Sequence, residues 1–317
     1  MKRYLLQRVS FGIMSLFAAT IIVFGMSRAT GDPLLLYAKP GGYGVSPEQI
    51  AALKKKLALD KPLIVQYFIW AGRVMRGDLG NTILAERPVS KVVMERLPNT
   101  LVLGLAAWIF ATVIGIPLGI LSAVKRGTVW DYLGRGIALF GQALPQFWVG
   151  IVAILVFAVY FGWLPSGTRG SEKPFFPDQI KHLILPTITL GWTPMAAYLR
   201  ITRSAMLEVL DTEYVKLARA KGVGGWSVIG KHAFRNALIP PLTVSALILV
   251  GFLDGAVLVE SVFSWPGVGR LALDAIFNND FPLLTGVILI FAMFFVVGSL
   301  VADFLYVVID PRIRYVS

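Results

Sequence analysis

The chain has 317 residues, 56% of them hydrophobic and 15% charged, with a mean hydropathy of +0.71 and a net charge of +12. Soluble domains carry about 25% charged residues, so a chain this apolar is expected in lipid, and its lack of cysteine excludes disulfides, thiolate metal sites and cysteine nucleophiles. The positive charge would suit nucleic acid, but it is spread over loops between apolar runs, so membrane topology explains it better and lipid, not nucleic acid, is the expected partner.

Residues 1–8 are basic and residues 9–27 carry no charge. A signal peptide has the same start, and Ser27-Arg28-Ala29 offers a small-x-small site. A signal core is only about 7–15 residues long, however, so an uncleaved first span is the better reading. Further apolar runs at about 100–124, 136–163, 183–203, 237–262 and 283–309 each approach the ~20 residues needed to cross a bilayer. Six spans place both termini on one side. A cytoplasmic N-terminus puts fifteen Lys and Arg inside and four in the two short outer loops. The long first outer loop holds the other eleven, but loops beyond about 60 residues translocate largely regardless of charge. The organisation is therefore residues 1–28 as tail and first span, 29–98 as an extracytoplasmic loop with short helices, and 99–317 as a five-helix core.

The outer loop has its own structure. Ser46, Pro47 and Gln49 read as an N-cap, a proline at N1 and a glutamine at N3, with Ile50, Leu53 and Leu57 on one helical face. Residues 63–75 are apolar but too short to span, and predict an interfacial or docked helix.

The core contains a charged, basic island, residues 204–236, far longer than the two to eight residues a reversal needs. A short helix from Glu213 to Lys221 ends at Gly222, which can take positive φ, and a second segment follows from Ser227 to Phe234. On the first helix Tyr214, Leu217, Ala218 and Lys221 share a face, Ala218 and Ala220 are small, and Arg219 and Lys221 suit the helix C-terminus. On spacing alone this is either a docking surface or a solvated loop carrying positive-inside charge.

Glu213-Tyr214-Val215, Ala218-Arg219-Ala220-Lys221-Gly222, His232 and Arg235-Asn236-Ala237 with Pro240 resemble the coupling loop of binding-protein-dependent ABC importers, in its dipeptide, oligopeptide and nickel permease form. Lys216 stands where the general pattern has Glu. Gly77-Asp78-Leu79-Gly80, Pro88-Val89, Arg96-Leu97-Pro98-Asn99-Thr100, the run Trp265 to Leu271 and Asp310-Pro311-Arg312 resemble the same family, so the likeness runs end to end. It implies an all-α membrane protein with six transmembrane helices and the type I ABC importer permease fold. It also implies a second homologous permease, two ATPase subunits that bind ATP and Mg²⁺, and an extracytoplasmic solute-binding protein. Glu213, Tyr214, Leu217, Ala218, Arg219, Ala220, Lys221, Gly222, Arg235 and Asn236 would then couple to the ATPases, while Trp265, Pro266, Gly267 and Arg270 would meet the binding protein. The implied cargo is a di- or oligopeptide, with nickel, glutathione and oligosaccharide as alternatives.

No catalytic or cofactor site is expected in the chain itself. Gly225 to Lys231 matches G-x-x-x-x-G-K, but His232 replaces the Ser or Thr that would hold Mg²⁺ and no strand precedes it. The two histidines, His182 and His232, have no metal-ligand partner at a usable spacing. Asp254 lies inside the fifth span and Glu260 near its outer end, and Asp303, in the sixth, reads as structural. A carboxylate at mid-bilayer costs about 2.5–3.5 kcal/mol, so it faces protein or water. Either Asp254, Glu260, Gln142 and Gln146 line a solute path, or Asp254 bonds between helices beside Gly251 and Gly255. An ion-coupled transporter would need a relay of intramembrane ionisable groups, for which these scattered carboxylates are poor material, and a membrane scaffold remains the other rival.

Overall fold

The computed structural model describes residues 2–29, 54, 59–83, 85–167 and 177–309, and every named element among them is helical. In chain order these are α1 (Lys2–Ala29), α2 (Leu63–Met75), α3 (Val89–Val124), α4 (Val129–Ala143) and α5 (Gln146–Ala153), which runs on as a π-helical segment (Ile154–Tyr160). α6 (Pro177–Leu210) and α7 (Glu213–Ala220) follow. A helical turn (Gly225–Ser227), a second π-helical segment (Val228–Phe234) and another turn (Arg235–Ala237) then lead into α8 (Ile239–Val262), α9 (Val268–Phe277) and α10 (Phe281–Ile309). The helix expected over residues 46–57 lies outside the described residues, Lys54 apart, as does the 310–312 motif.

Each expected span falls on a helix, but not all are simple crossings. Among the described residues, α1, α3 and α10 contain stretches long and apolar enough to traverse a bilayer. The run 136–163, expected to be one span, is broken: α4 and the α5 segment qualify only together, and their axes differ by 107°. Pro145 is the cause. Its ring forces Leu144 out of the helical region (φ −85°, ψ 131°), and it has no N–H to continue the ladder. α6 is 34 residues long but ends in charged turns, and the apolar part of α8 within the described residues, Ile239–Leu249, is short.

The chain divides into two compact units, residues 1–98 with 270–297, and residues 99–269 with 298–317. In the first, α1 and α2 meet through aromatic side chains. Phe17 and Phe24 stand edge-on to Tyr67, whose hydroxyl lies 2.9 Å from Thr20 Oγ1. Past α2, Val89 N–H donates to the Gly80 carbonyl, and the buried Asp280 carboxylate joins that hairpin to α10. Its Oδ2 accepts from Ile83 N–H at 2.9 Å while Oδ1 caps the helix at Leu283 N–H, 3.1 Å.

In the second unit α3, α6 and α8 form the core. Gly115 and Gly119, one turn apart on α3, sit against the carbonyls of Met195 and Leu199 on α6, where a Cβ at either would collide. Close packing by a glycine pair is thus found here; Gly251 has nothing within 4 Å of where its Cβ would stand. Around this seam Leu103, Ala107, Leu185, Leu190, Phe252 and Val259 are buried together. Ser245 of α8 accepts two hydrogen bonds, from Trp108 Nε1 of α3 at 2.9 Å and from the Tyr198 hydroxyl of α6 at 2.8 Å.

Candidate functional site

The basic island folds as a compact helical pair rather than a floppy loop. Thr212 opens α7 in an extended conformation (ψ 152°), its hydroxyl donating to the Val209 carbonyl at 2.6 Å, which bends the chain away from α6. α7 closes in a Schellman turn. Gly222 takes φ +75°, its N–H donates to Arg219 O, and Val223 N–H donates to Ala218 O. Val215 and Ala218 are buried with Met206 and Leu210 of α6 and with Val228, Ala233 and Ala237 of the following segment. Asn236 Nδ2 donates to the Tyr214 hydroxyl at 3.0 Å and to the His232 carbonyl at 3.1 Å, tying the second segment to the first. The island is thus welded to the end of α6 by an apolar seam.

This packing splits the face read from the sequence. Ala218 points into the seam, where its small size serves the chain's own packing, while Tyr214 and Leu217 stay exposed (44% and 56%). Glu213, Arg219, Ala220, Lys221, Gly222, Arg235 and Asn236 are exposed as well. Lys216, at the departure from the family pattern, pairs with Glu213 at 2.8 Å, and that hydrogen bond raises its pKa above the ordinary value, keeping it charged. The stretch that mimics a phosphate-binding loop, residues 225–231, is helical.

Above the island, the sequence reading missed an ion pair. Asp131, 2% exposed at the start of α4, accepts Arg203 Nε at 2.8 Å and Ser122 Oγ at 2.9 Å on Oδ1. Oδ2 accepts Gly127 N–H at 3.0 Å and Arg203 Nη2 at 3.1 Å. Four donors on one carboxylate join α3, α4 and α6 just where α6 descends to the island. The partners are 72 residues apart in the chain, so no local spacing pairs them; the one available signal was an acid beside a cluster of basic residues.

Of the expected solute-path residues, Gln142 Nε2 donates to its own helix at Ala138 O and Gln146 Nε2 donates to Leu190 O of α6. Asp254 lies in α8 with its side chain outside the described ones. Glu260 is fully buried. Thr100 Oγ1 donates to its Oε1 at 2.7 Å and accepts Val268 N–H at 2.8 Å, and the lack of a side chain at Gly267 makes room for the carboxylate. The turn 264–269 is held the same way: Trp265 is buried with Nε1 donating to Asn99 O at 3.0 Å, and Asn99 Nδ2 donates to Pro266 O at 2.8 Å. Trp265 and Gly267 therefore shape the turn from within, and of the four expected contact residues only Pro266 and Arg270 are partly exposed.

Residues 115–315 match the family described as the binding-protein-dependent transport system inner membrane component, and residues 1–104 match its N-terminal companion. The chain belongs to this family. The permease is 41% identical over 320 residues to the oligopeptide transport system permease protein AppB of Bacillus subtilis (strain 168), covering 99% of this chain and 100% of that one. It is 39% identical to the dipeptide transport system permease protein DppB of Escherichia coli (strain K12), with 99% of each chain covered. Among solved structures it resembles the inward-facing MetNI methionine ABC transporter, with a TM-score of 0.57 at 16% identity over 69% of this chain and 96% of that one. At that identity the likeness concerns the fold alone. This permease is thus a multi-pass inner-membrane protein with the type I ABC importer fold.

Proposed function

We propose that the permease is one of two homologous membrane subunits of an ATP-driven importer that moves di- or oligopeptides into the cytoplasm. What carries this reading is the end-to-end likeness to two named peptide permeases, joined to an island that packs on the end of α6 and leaves Tyr214 and Leu217 exposed. ATP and Mg²⁺ belong to two partner ATPases, and a solute-binding protein delivers the peptide to the outer face. The permease crosses the membrane six times with both termini in the cytoplasm, so the island projects inward, as its five Lys and Arg, with Arg200 and Arg203 just before it, favour.

The mechanism is mechanical. An ATPase grips Tyr214 and Leu217, and its closure pulls on α7. Because Val215 and Ala218 are packed against Met206 and Leu210, the pull enters α6 without slack, and the Asp131–Arg203 pair passes it to α4. Reconstitution with the ATPases and the binding protein tests this. Leu217→Arg changes only an exposed side chain, so thermal stability should be unchanged, while peptide uptake should fall by roughly an order of magnitude or more, as at a buried interface anchor. Undiminished uptake would remove α7 from the coupling path.

A further inference from the structure

We propose that a cavity between α4 and α6 binds the phosphate headgroup of an anionic phospholipid from the cytoplasmic leaflet, with its acyl chains running along the exposed Leu139. The cavity has a volume of about 390 Å³ and is lined by Arg135, Gln142, Arg200, Arg203 and Ser204 on its polar side. The coupling scheme uses Arg203 from this lining but neither Arg135 nor Arg200.

The charges there do not balance. Three guanidiniums line the cavity and two of them, Arg135 and Arg203, lie within ion-pair distance of one carboxylate, Asp131, whose four acceptor positions are already taken by Ser122, Gly127 and two nitrogens of Arg203. Arg135 comes no nearer than 3.7 Å and rests its flat face on Tyr132, centroid 4.4 Å away, with its N–H edges left over. Arg200 is exposed, and among the described residues it has no ion pair. Two positive charges are therefore left over on forks whose geometry suits phosphate oxygens. Asp131 also fixes Arg203 in place, so one donor is already oriented before any ligand arrives.

The other lining selects the kind of phosphate. Leu139, on the wall of the cavity, is 69% exposed, apolar surface that a water-soluble anion would leave uncovered and a lipid chain would cover. The depth agrees. Arg203 lies seven residues, about 10 Å of helix, before the end of α6 at Leu210. On α4, exposed Trp130 and Tyr132 lie in the first turn beside exposed Val129, and exposed Leu133, Leu139 and Phe140 follow. Trp and Tyr at headgroup level, with apolar side chains that carry no polar atom beyond them, are the arrangement expected on entering a bilayer. Basic pockets between helices at the cytoplasmic surface are where anionic headgroups bind. The leaflet rests on the orientation proposed above; the headgroup chemistry does not.

The test uses the assembled transporter from native membranes, stripped and placed in nanodiscs of phosphatidylcholine with or without phosphatidylglycerol, with retained lipid counted by native mass spectrometry. Wild type should retain phosphatidylglycerol in preference to phosphatidylcholine. Arg200→Gln, on an exposed side chain, should lower that retention about fivefold, and Arg135→Gln with Arg200→Gln about 25-fold, whereas the double lysine variant should keep most of it. Equal retention of the two lipids, retention untouched by Arg200→Gln, or displacement of the lipid by inorganic phosphate would each overturn the proposal. So would loss of peptide binding with lipid retention intact, which would assign the arginines to the solute path. Peptide uptake is measured in parallel: uptake without lipid retention overturns the lipid site alone, and lipid retention without uptake overturns the importer reading alone.

Discussion

Asp131→Asn is the sharpest test of how the bundle is held together. The substitution keeps the shape of the side chain but turns one oxygen into an NH₂ group. Whichever way the amide lies, that NH₂ faces a nitrogen of Arg203 and loses that hydrogen bond; on the Oδ2 side it also loses Gly127 N–H, while on the Oδ1 side the Ser122 hydroxyl can turn to accept from it. A bond to a charged group contributes about 1.5–3 kcal/mol, and breaking one side of a buried pair costs roughly 3–5 kcal/mol. The Arg203 side chain keeps 21% exposure, so water softens the loss, and about 3 kcal/mol is expected. Thermal unfolding of the purified transporter measures it, in a cycle with Arg203→Met, which removes the orphaned cation. The double variant should recover much of the loss, with a coupling above about 1.5 kcal/mol. A loss below about 1 kcal/mol for Asp131→Asn, or strict additivity in the double variant, would refute the reasoning.

Gly222→Val puts a branched side chain at φ +75°, costs about 1–2 kcal/mol, and should loosen the end of α7 so that limited proteolysis cuts near Lys221; an unchanged digest would show the Schellman turn to be dispensable. Gly267→Ala sets a Cβ against the Glu260 carboxylate, and overpacking of this kind should lower stability by roughly 1–3 kcal/mol in a thermal melt. Thr100→Val at the same knot leaves Glu260 and Val268 N–H each short of a partner, with a similar loss expected, and wild-type melting of either variant would argue against the knot.

Most of the helix layout was legible in the sequence because apolar runs longer than a bilayer leave few alternatives. All six expected spans fall on helices, and the short apolar helix at 63–75 is α2. Gly222 could be read as a helix end because few other residues tolerate that φ. The bend at Pro145 was foreseeable as a kink, but its 107° depends on how α5 packs against α6 and α8, which no local pattern carries. Ala218 shows the limit of periodicity. Spacing put it beside Leu217, yet the second segment folds over one flank of α7, so one neighbour is buried and the other exposed. The packing around Glu260 and Trp265 was hidden for a related reason: two of their hydrogen-bond partners, Thr100 and Asn99, are more than 150 residues away in the chain.

The doubly used hydroxyl of Ser245 has a mechanical consequence. One oxygen is the common tooth for an indole on α3 and a phenol on α6, and its two lone pairs are both engaged. Sliding of either helix past α8 by an ångström or two stretches one bond beyond reach, so displacement proceeds by release and recapture instead of smooth creep. Each release forfeits about 1 kcal/mol. That is small enough for a tug transmitted along α6 to trip, and large enough to hold the bundle still between strokes.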